Sequence, residues 1–333
     1  MTDVLYVAVA GDRPHLACYP IGDDGIAHPA TAVDLPGPPA DLAVSPDSRF
    51  LYADVSIEGT HQYLSYRIDA ASGALQQFGE AAHVGPYPCY LHVDQSGRWL
   101  LAAYYSDGMV TVHAIGEDGA AGAQVQQLDT AMKAHCIQTD ATNRFALTPH
   151  VGDENAIWQF HFDDSTGQLS ANVPAKASPE PGQGPRHICF HPNGQFLFSN
   201  GEQGSTVTSW SYDSTAGTLA PLQMSSTLPA EWQGDNSASQ IGITPDGRYL
   251  YSCNRGHDSL AGFAVDADTG SLTAIGTFAT VGTPRPLAIA PDGATVFVAG
   301  AELRVFRLGH GGALEKIRDL NPGPIAWILA VRT

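Results

Sequence analysis

The chain has 333 residues, with 16 Lys+Arg against 34 Asp+Glu and a formal net charge of −18. An apolar fraction of 43 % supports a packed core, while 15 % charged residues with 35 Gly and 23 Pro predict many turns and few long charged helices. Such acidity excludes nucleic acid or an anionic lipid surface as the main partner, because both require a basic face.

The opening Thr2-Asp3-Val4-Leu5 lacks a basic segment followed by a long apolar one, so no signal peptide is expected. No apolar run approaches the roughly 18 residues a membrane-spanning helix needs. Cys18, Cys89, Cys136, Cys189 and Cys253 are widely spaced and form no CxxC pair, which argues against a zinc knuckle or dithiol redox centre. They read as small core residues of a cytoplasmic protein.

In chain order, the first element is an apolar strand at Leu5–Ala10. A turn followed by an apolar strand then recurs: Ser45-Pro46-Asp47-Ser48-Arg49-Phe50, Asp94-Gln95-Ser96-Gly97-Arg98-Trp99, and Asp140-Ala141-Thr142-Asn143-Arg144-Phe145. Further copies begin at His191, Thr244 and Ala290, and equivalent positions 49, 98, 144, 195, 248 and 294 are 46 to 53 residues apart. A second motif places a glycine after an acidic turn, at Gly25, Gly73, Gly119, Gly167, Gly217, Gly270 and Gly312. Both motifs are hairpin chemistry, with short β-branched or aromatic segments between them. Seven units in 333 residues make about 48 residues each, enough for four strands.

Four strands in such a unit predict a propeller blade. The expected fold is therefore all-β: a seven-bladed β-propeller, four antiparallel strands per blade, forming a single domain over 1–333. The C-terminal Gly323–Val331 reads as an innermost strand and Leu5–Ala10 as a second strand, so one blade built from both termini closes the ring. A helical solenoid lacks its 3.6-residue period here, and no GxGxxG follows a strand.

The residue before the first strand of a blade and the residue after the second emerge together near the axis. Aligning the repeats puts His135, Arg186 and Arg285 at the former position and Tyr105, Glu202 and Arg255 at the latter. His150 and Tyr105 border this set. Three arginines from a chain poor in cations suit an anionic ligand, since guanidinium matches carboxylate or phosphate. An inter-blade ion pair between Glu202 and an arginine is the structural alternative. His187, His191 and His257 lie close but lack metal-ligand spacing, so no metal and no cofactor are expected. Ser205 and Ser259 lack a nucleophile-elbow pattern. Arg49, Arg98, Arg144 and Arg248 belong to the repeated turn and read as structural.

Cys253-Asn254-Arg255-Gly256-His257-Asp258-Ser259-Leu260 resembles the Asn-Arg-Gly-His-Asp-Ser-Ile segment of the seven-bladed β-propeller lactonase family. That family includes the propeller type of 6-phosphogluconolactonase and carboxy-cis,cis-muconate lactonizing enzyme. Gly184-Pro185-Arg186-His187, Asn200-Gly201-Glu202 and Ala134-His135 also resemble its segments, although the family usually has Asn-Glu where this chain has Asn-Gly-Glu. The resemblance covers essentially the whole chain. It implies a catalytic set of His135, Arg186, Glu202 and Arg255, with either Glu202 or His135 as general base. Gln240 stands where the family commonly carries a carboxylate, and Glu231–Asn236 just upstream is positioned to cover a ligand.

The function expected is hydrolysis of a small anionic sugar lactone, with 6-phosphogluconolactone implied by the resemblance. Arg285, His150, Tyr105 and Gln240 are the expected substrate-binding residues. An aldaro-lactone hydrolase, a muconate-type cyclase and a non-catalytic protein-binding propeller are the alternatives.

Overall fold

The structure is a computed structural model that describes residues 2–22, 25–26 and 29–333. Its described residues form seven four-stranded antiparallel sheets, the blades of a seven-bladed β-propeller. The first combines both chain ends: Ile325–Arg332 pairs with Asp3–Val9, which pairs with His15–Pro20, followed by Thr31–Asp34. The remaining sheets span residues 39–85, 90–129, 138–177, 185–226, 237–279 and 287–320.

The chain divides into two compact units. One comprises Met1–Ala146, His161–Ser170 and Pro322–Thr333; the other comprises Leu147–Phe160 and Ala171–Asn321.

The repeated turn closes as its residue types dictate. Ser45 Oγ accepts from the Phe50 amide at 3.0 Å, Thr244 Oγ1 from the Tyr249 amide at 3.0 Å, and Asp94 Oδ1 from the Trp99 amide at 2.8 Å. A short polar side chain thus satisfies the first amide of the next strand. The seven glycines of the second motif all have positive φ, between 68° and 88°. Space demands glycine as well: a Cβ at Gly119 would strike the Phe50 ring, and one at Gly270 the Phe196 ring. The Gly119 carbonyl also accepts from Tyr52 Oη at 2.9 Å, and the Gly312 carbonyl from Tyr251 Oη at 2.7 Å.

Core residues lie between successive sheets. In the first unit, Tyr52 and Tyr63 of the second sheet pack with Leu100 and Tyr104 of the third. In the second unit, Phe198 and Val207 of the fifth sheet pack with Leu250 and Phe263 of the sixth, while Tyr251 and Leu260 meet Val296 and Val298 of the seventh. Each such side chain contributes about 1.5–3 kcal/mol by leaving water. This packing holds the fifth to seventh sheets as a rigid frame for the polar groups at their ends. None of the five cysteines is in a disulfide; Cys18, Cys136 and Cys253 are buried, and Cys89 and Cys189 half-buried.

Candidate active site

The second unit brings Arg186, Glu202 and Arg255 into one cluster. Glu202 follows the strand Phe196–Gly201 and bridges both arginines, with Oε2 3.2 Å from Arg186 Nε and Oε1 2.8 Å from Arg255 Nη2. The side chains retain only 8 % exposure at Arg186, 13 % at Arg255 and 21 % at Glu202. Little water screens these charges, and two guanidinium groups against one carboxylate leave a local excess of one positive charge.

The strand Ser237–Ile243 fixes the arginines through its backbone. Arg186 Nη1 donates to the Ser239 carbonyl; Arg255 Nη2 donates to the Ala238 carbonyl at 2.9 Å and Nε to the Ser237 carbonyl at 3.4 Å. Ser237 and Ala238 are paired with Arg255 and Asn254, and Ser239 lies in the register shift that follows, between Ala238 and Ile241. A matching shift between Pro185 and Ile188 surrounds Arg186. Bulges re-aim backbone and side chains in this way. Arg186 therefore lies inside the strand Pro185–Phe190 rather than before it, and Arg255 ends the strand Tyr249–Arg255 rather than following it.

A buried amide network supports the cluster. Asn200 Oδ1 accepts from the His187 amide at 3.0 Å, and Arg186 Nη1 lies 3.2 Å from His187 Nε2. Asn236 Nδ2 donates to Ser205 Oγ at 2.8 Å and to Asn254 Oδ1 at 3.1 Å, while its Oδ1 accepts from the His257 amide at 3.1 Å. This ties the Glu231–Asn236 segment to the turn that carries Arg255. Trp232 of the same segment meets the His257 ring edge-on, with centroids 4.7 Å apart. Asn200 and Asn254 have no role in the sequence motifs taken alone; an uncharged amide inside an apolar strand run is the signal that marks each. Cys253 lies beneath the arginines, where burial pushes its thiol up to about 12 despite their charges. It is a neutral thiol at pH 7.

Arg285 is exposed and lies in the same unit. Its neighbour Pro284 accepts a 2.7 Å hydrogen bond from Ser239 Oγ, the residue whose carbonyl holds Arg186. Gln240 is half-buried, and its amide oxygen is buried without a hydrogen-bond partner among the described residues. His150 departs from expectation. It has no exposed surface, packs on Trp158 with centroids 5.4 Å apart, and has Nδ1 3.0 Å from the Thr148 carbonyl. Burial pushes it down to about 4, so it is neutral at pH 7 and serves packing rather than lining a ligand site.

In the first unit, His135 precedes the strand Gln138–Thr139 and Tyr105 follows Trp99–Tyr104. Their rings meet edge-on with centroids 5.4 Å apart, and the Tyr105 carbonyl accepts from the Lys133 amide at 2.8 Å. The repeated turn keeps Arg49 on Asp47 at 2.5 Å and Arg248 on Asp246 at 2.6 Å. Among the described residues, no three His, Cys, Asp or Glu side chains gather as a metal site would require, and no helix is long and apolar enough to cross a membrane.

The chain is similar to several known proteins over nearly its whole length. A 6-phosphogluconolactonase of Pectobacterium carotovorum subsp. carotovorum is 33 % identical over 322 residues, covering 97 % of this chain and 94 % of the relative. One of Serratia proteamaculans is 31 % identical, covering 95 % of this chain and 92 % of that protein. The solved periplasmic gluconolactonase of Pseudomonas aeruginosa superposes with a TM-score of 0.90 at 26 % identity, covering 99 % of each chain. The profile of the family described as Lactonase, 7-bladed beta-propeller, matches residues 21–319. With its seven blades, the family match and these relatives, the chain belongs to the seven-bladed β-propeller lactonase family and is a lactone-hydrolysing enzyme.

Proposed function

We propose that the enzyme hydrolyses an anionic sugar lactone, 6-phosphogluconolactone, to 6-phosphogluconate. The observation that carries this reading is the Arg186–Glu202–Arg255 cluster, nearly dry and with one positive charge in excess. The names of the relatives point to the same substrate.

A lactone is an internal ester. Water adds to its carbonyl carbon, the carbonyl oxygen takes the developing negative charge, and the ring C–O bond then breaks. The ring oxygen leaves with a proton as a hydroxyl, and the carbonyl becomes the carboxylate of the open acid. Arg186 and Arg255 are the donors for the oxyanion, fixed in advance by the backbone carbonyls of residues 237–239. Glu202 accepts from Arg255 Nη2 through Oε1, while its buried Oε2 lies 3.2 Å from Arg186 Nε without hydrogen-bond geometry, so one oxygen anchors an arginine and the other keeps an open lone pair. The water proton passes to a general base, the role that the family resemblance gives to His135 or Glu202. The unpartnered Gln240 amide oxygen is the acceptor for a sugar hydroxyl. A phosphorylated sugar does not cross a bilayer, so its hydrolase belongs in the cytoplasm, which five cysteines without a disulfide suit.

Acid release from 6-phosphogluconolactone above its spontaneous rate tests the reading, with Arg186→Ala and Glu202→Gln alongside. Full rates in both variants would remove the cluster from the chemistry. The similarity to a gluconolactonase supports a second reading, turnover of the unphosphorylated lactone, and the same assay separates the two.

A further inference from the structure

We infer that Arg285 is the residue that recognises the substrate's phosphate, an inference that rests on the phosphorylated lactone proposed above. Most arginines of this chain are engaged: Arg49, Arg98, Arg186, Arg248, Arg255, Arg304, Arg307 and Arg332 in ion pairs, and Arg67 and Arg144 over aromatic rings. Arg285 has no side-chain hydrogen bond or ion pair among the described residues and is exposed.

Its backbone is far from free. Pro284 and Pro286 flank it, and a residue before proline is held to extended conformations. Its amide donates to the Ala299 carbonyl at 2.9 Å. Thr283 sits at φ 53°, a left-handed conformation unfavourable for a β-branched residue, and its amide is pinned to Asp258 Oδ1 at 2.9 Å. Asp258 belongs to the turn just after Arg255. Strain of this kind persists where a ligand clamp is being positioned. The loop thus spends backbone strain and two prolines on presenting a single unpaired cation.

The loop is joined to the catalytic cluster by two successive hydrogen bonds. Ser239 holds the Pro284 carbonyl through its hydroxyl and Arg186 through its own carbonyl. The cluster carries one net positive charge, and Arg285 adds a second. That total matches a phosphate monoester, which carries about −1.5 to −2 at pH 7. The division of labour follows from burial. The nearly dry arginines serve the reacting carbonyl, while the exposed one meets the strongly hydrated phosphate at the rim.

The test is the ratio of kcat/KM for 6-phosphogluconolactone over that for unphosphorylated gluconolactone, in wild type, Arg285→Ala, Arg285→Lys and the exposed control Arg13→Ala. In Arg285→Ala the ratio should fall by roughly 10- to 100-fold, mainly through KM, as expected for loss of a charged hydrogen bond. Arg285→Lys should recover part of it, and Arg13→Ala should keep the wild-type ratio. Inorganic phosphate should bind the wild type and protect it competitively, but not Arg285→Ala. An unchanged ratio in Arg285→Ala, or the same fall in Arg13→Ala, overturns the inference. A wild type that turns over only the unphosphorylated lactone overturns the substrate reading instead. The role of Arg285 is then decided by phosphate binding alone: binding lost in Arg285→Ala supports it, and binding unaffected or absent overturns it.

Discussion

Two sets of Arg–carboxylate contacts in this molecule share chemistry and differ in setting. In the repeated turn, Arg49 meets Asp47 with the two side chains 72 % and 48 % exposed. In the proposed active site, Arg186 and Arg255 meet Glu202 with no side chain more than 21 % exposed. The turn pairs sit in water, where mutual attraction is weak and salt screens it further. The site charges are largely dry, and each guanidinium also holds a backbone carbonyl, so their positions are fixed before substrate arrives. Identical functional groups therefore decorate one end of a blade and form a largely dry, positively charged cluster at another.

The largest expected effect lies at the dry end. Arg255→Ala removes the contact to Glu202 and the donors to Ser237 and Ala238, leaving the carboxylate half-paired. We expect kcat/KM to fall by about 10²–10³-fold, as when one oxyanion donor is lost, measured by initial rates of lactone hydrolysis. A loss under tenfold would equate the site with the turn.

A buried group that titrates gives the next effect. Burial lowers His150 to about 4 from 6.5, so the unfolded chain binds its proton first as pH falls. The stability it contributes is complete above about pH 6.5 and is lost progressively towards pH 4, by up to about 3 kcal/mol. Denaturant unfolding between pH 7 and 4 should show this slope, and His150→Gln should flatten it. An unchanged slope in that variant would assign the acid sensitivity elsewhere.

The pair Arg304–Asp319 stands between the extremes. Its two contacts are 2.7 and 2.9 Å, and the guanidinium beside Asp319 holds that carboxyl down at about 2. A lowered carboxyl stabilises the fold above its unfolded value near 4 and ceases to do so as pH falls towards 2. Discounted for solvent screening, Arg304→Ala should cost about 1 kcal/mol at pH 7 and nothing near pH 2. A cost that persists at pH 2 would mean packing rather than charge.

The smallest effect belongs to Arg49→Ala. Its melting temperature should fall by less than about 2 °C with lactone turnover unchanged. A larger fall would show that the turn guanidinium works chiefly through its contact with the Phe50 ring, which it covers at 5.2 Å.

Much of the fold was legible because hairpins are local. Asp94, Gly97 and Trp99 close one turn within six residues, and the same chemistry at Thr244, Gly247 and Tyr249 closes another. The joining of Asp3–Val9 to Ile325–Arg332 followed from counting motifs. Arg186, Glu202 and Arg255 were legible because equivalent positions in successive blades are neighbours. His150 misled at the same level: its place in the repeat suggested a site edge, but Trp158 and the Thr148 carbonyl enclose it.

Sequence alone therefore determined the blade count, the strand order, the family and which charged residues share a blade position, since these depend on spacing and turn chemistry. Tertiary structure decided how those residues work. The register shifts at Pro185–Ile188 and Ala238–Ile241 turn backbone carbonyls towards the arginines, and Ser239 links Arg186 to the loop of Arg285. Such contacts join residues about 50 positions apart through backbone atoms that every amino acid carries, so no residue type announces them in advance.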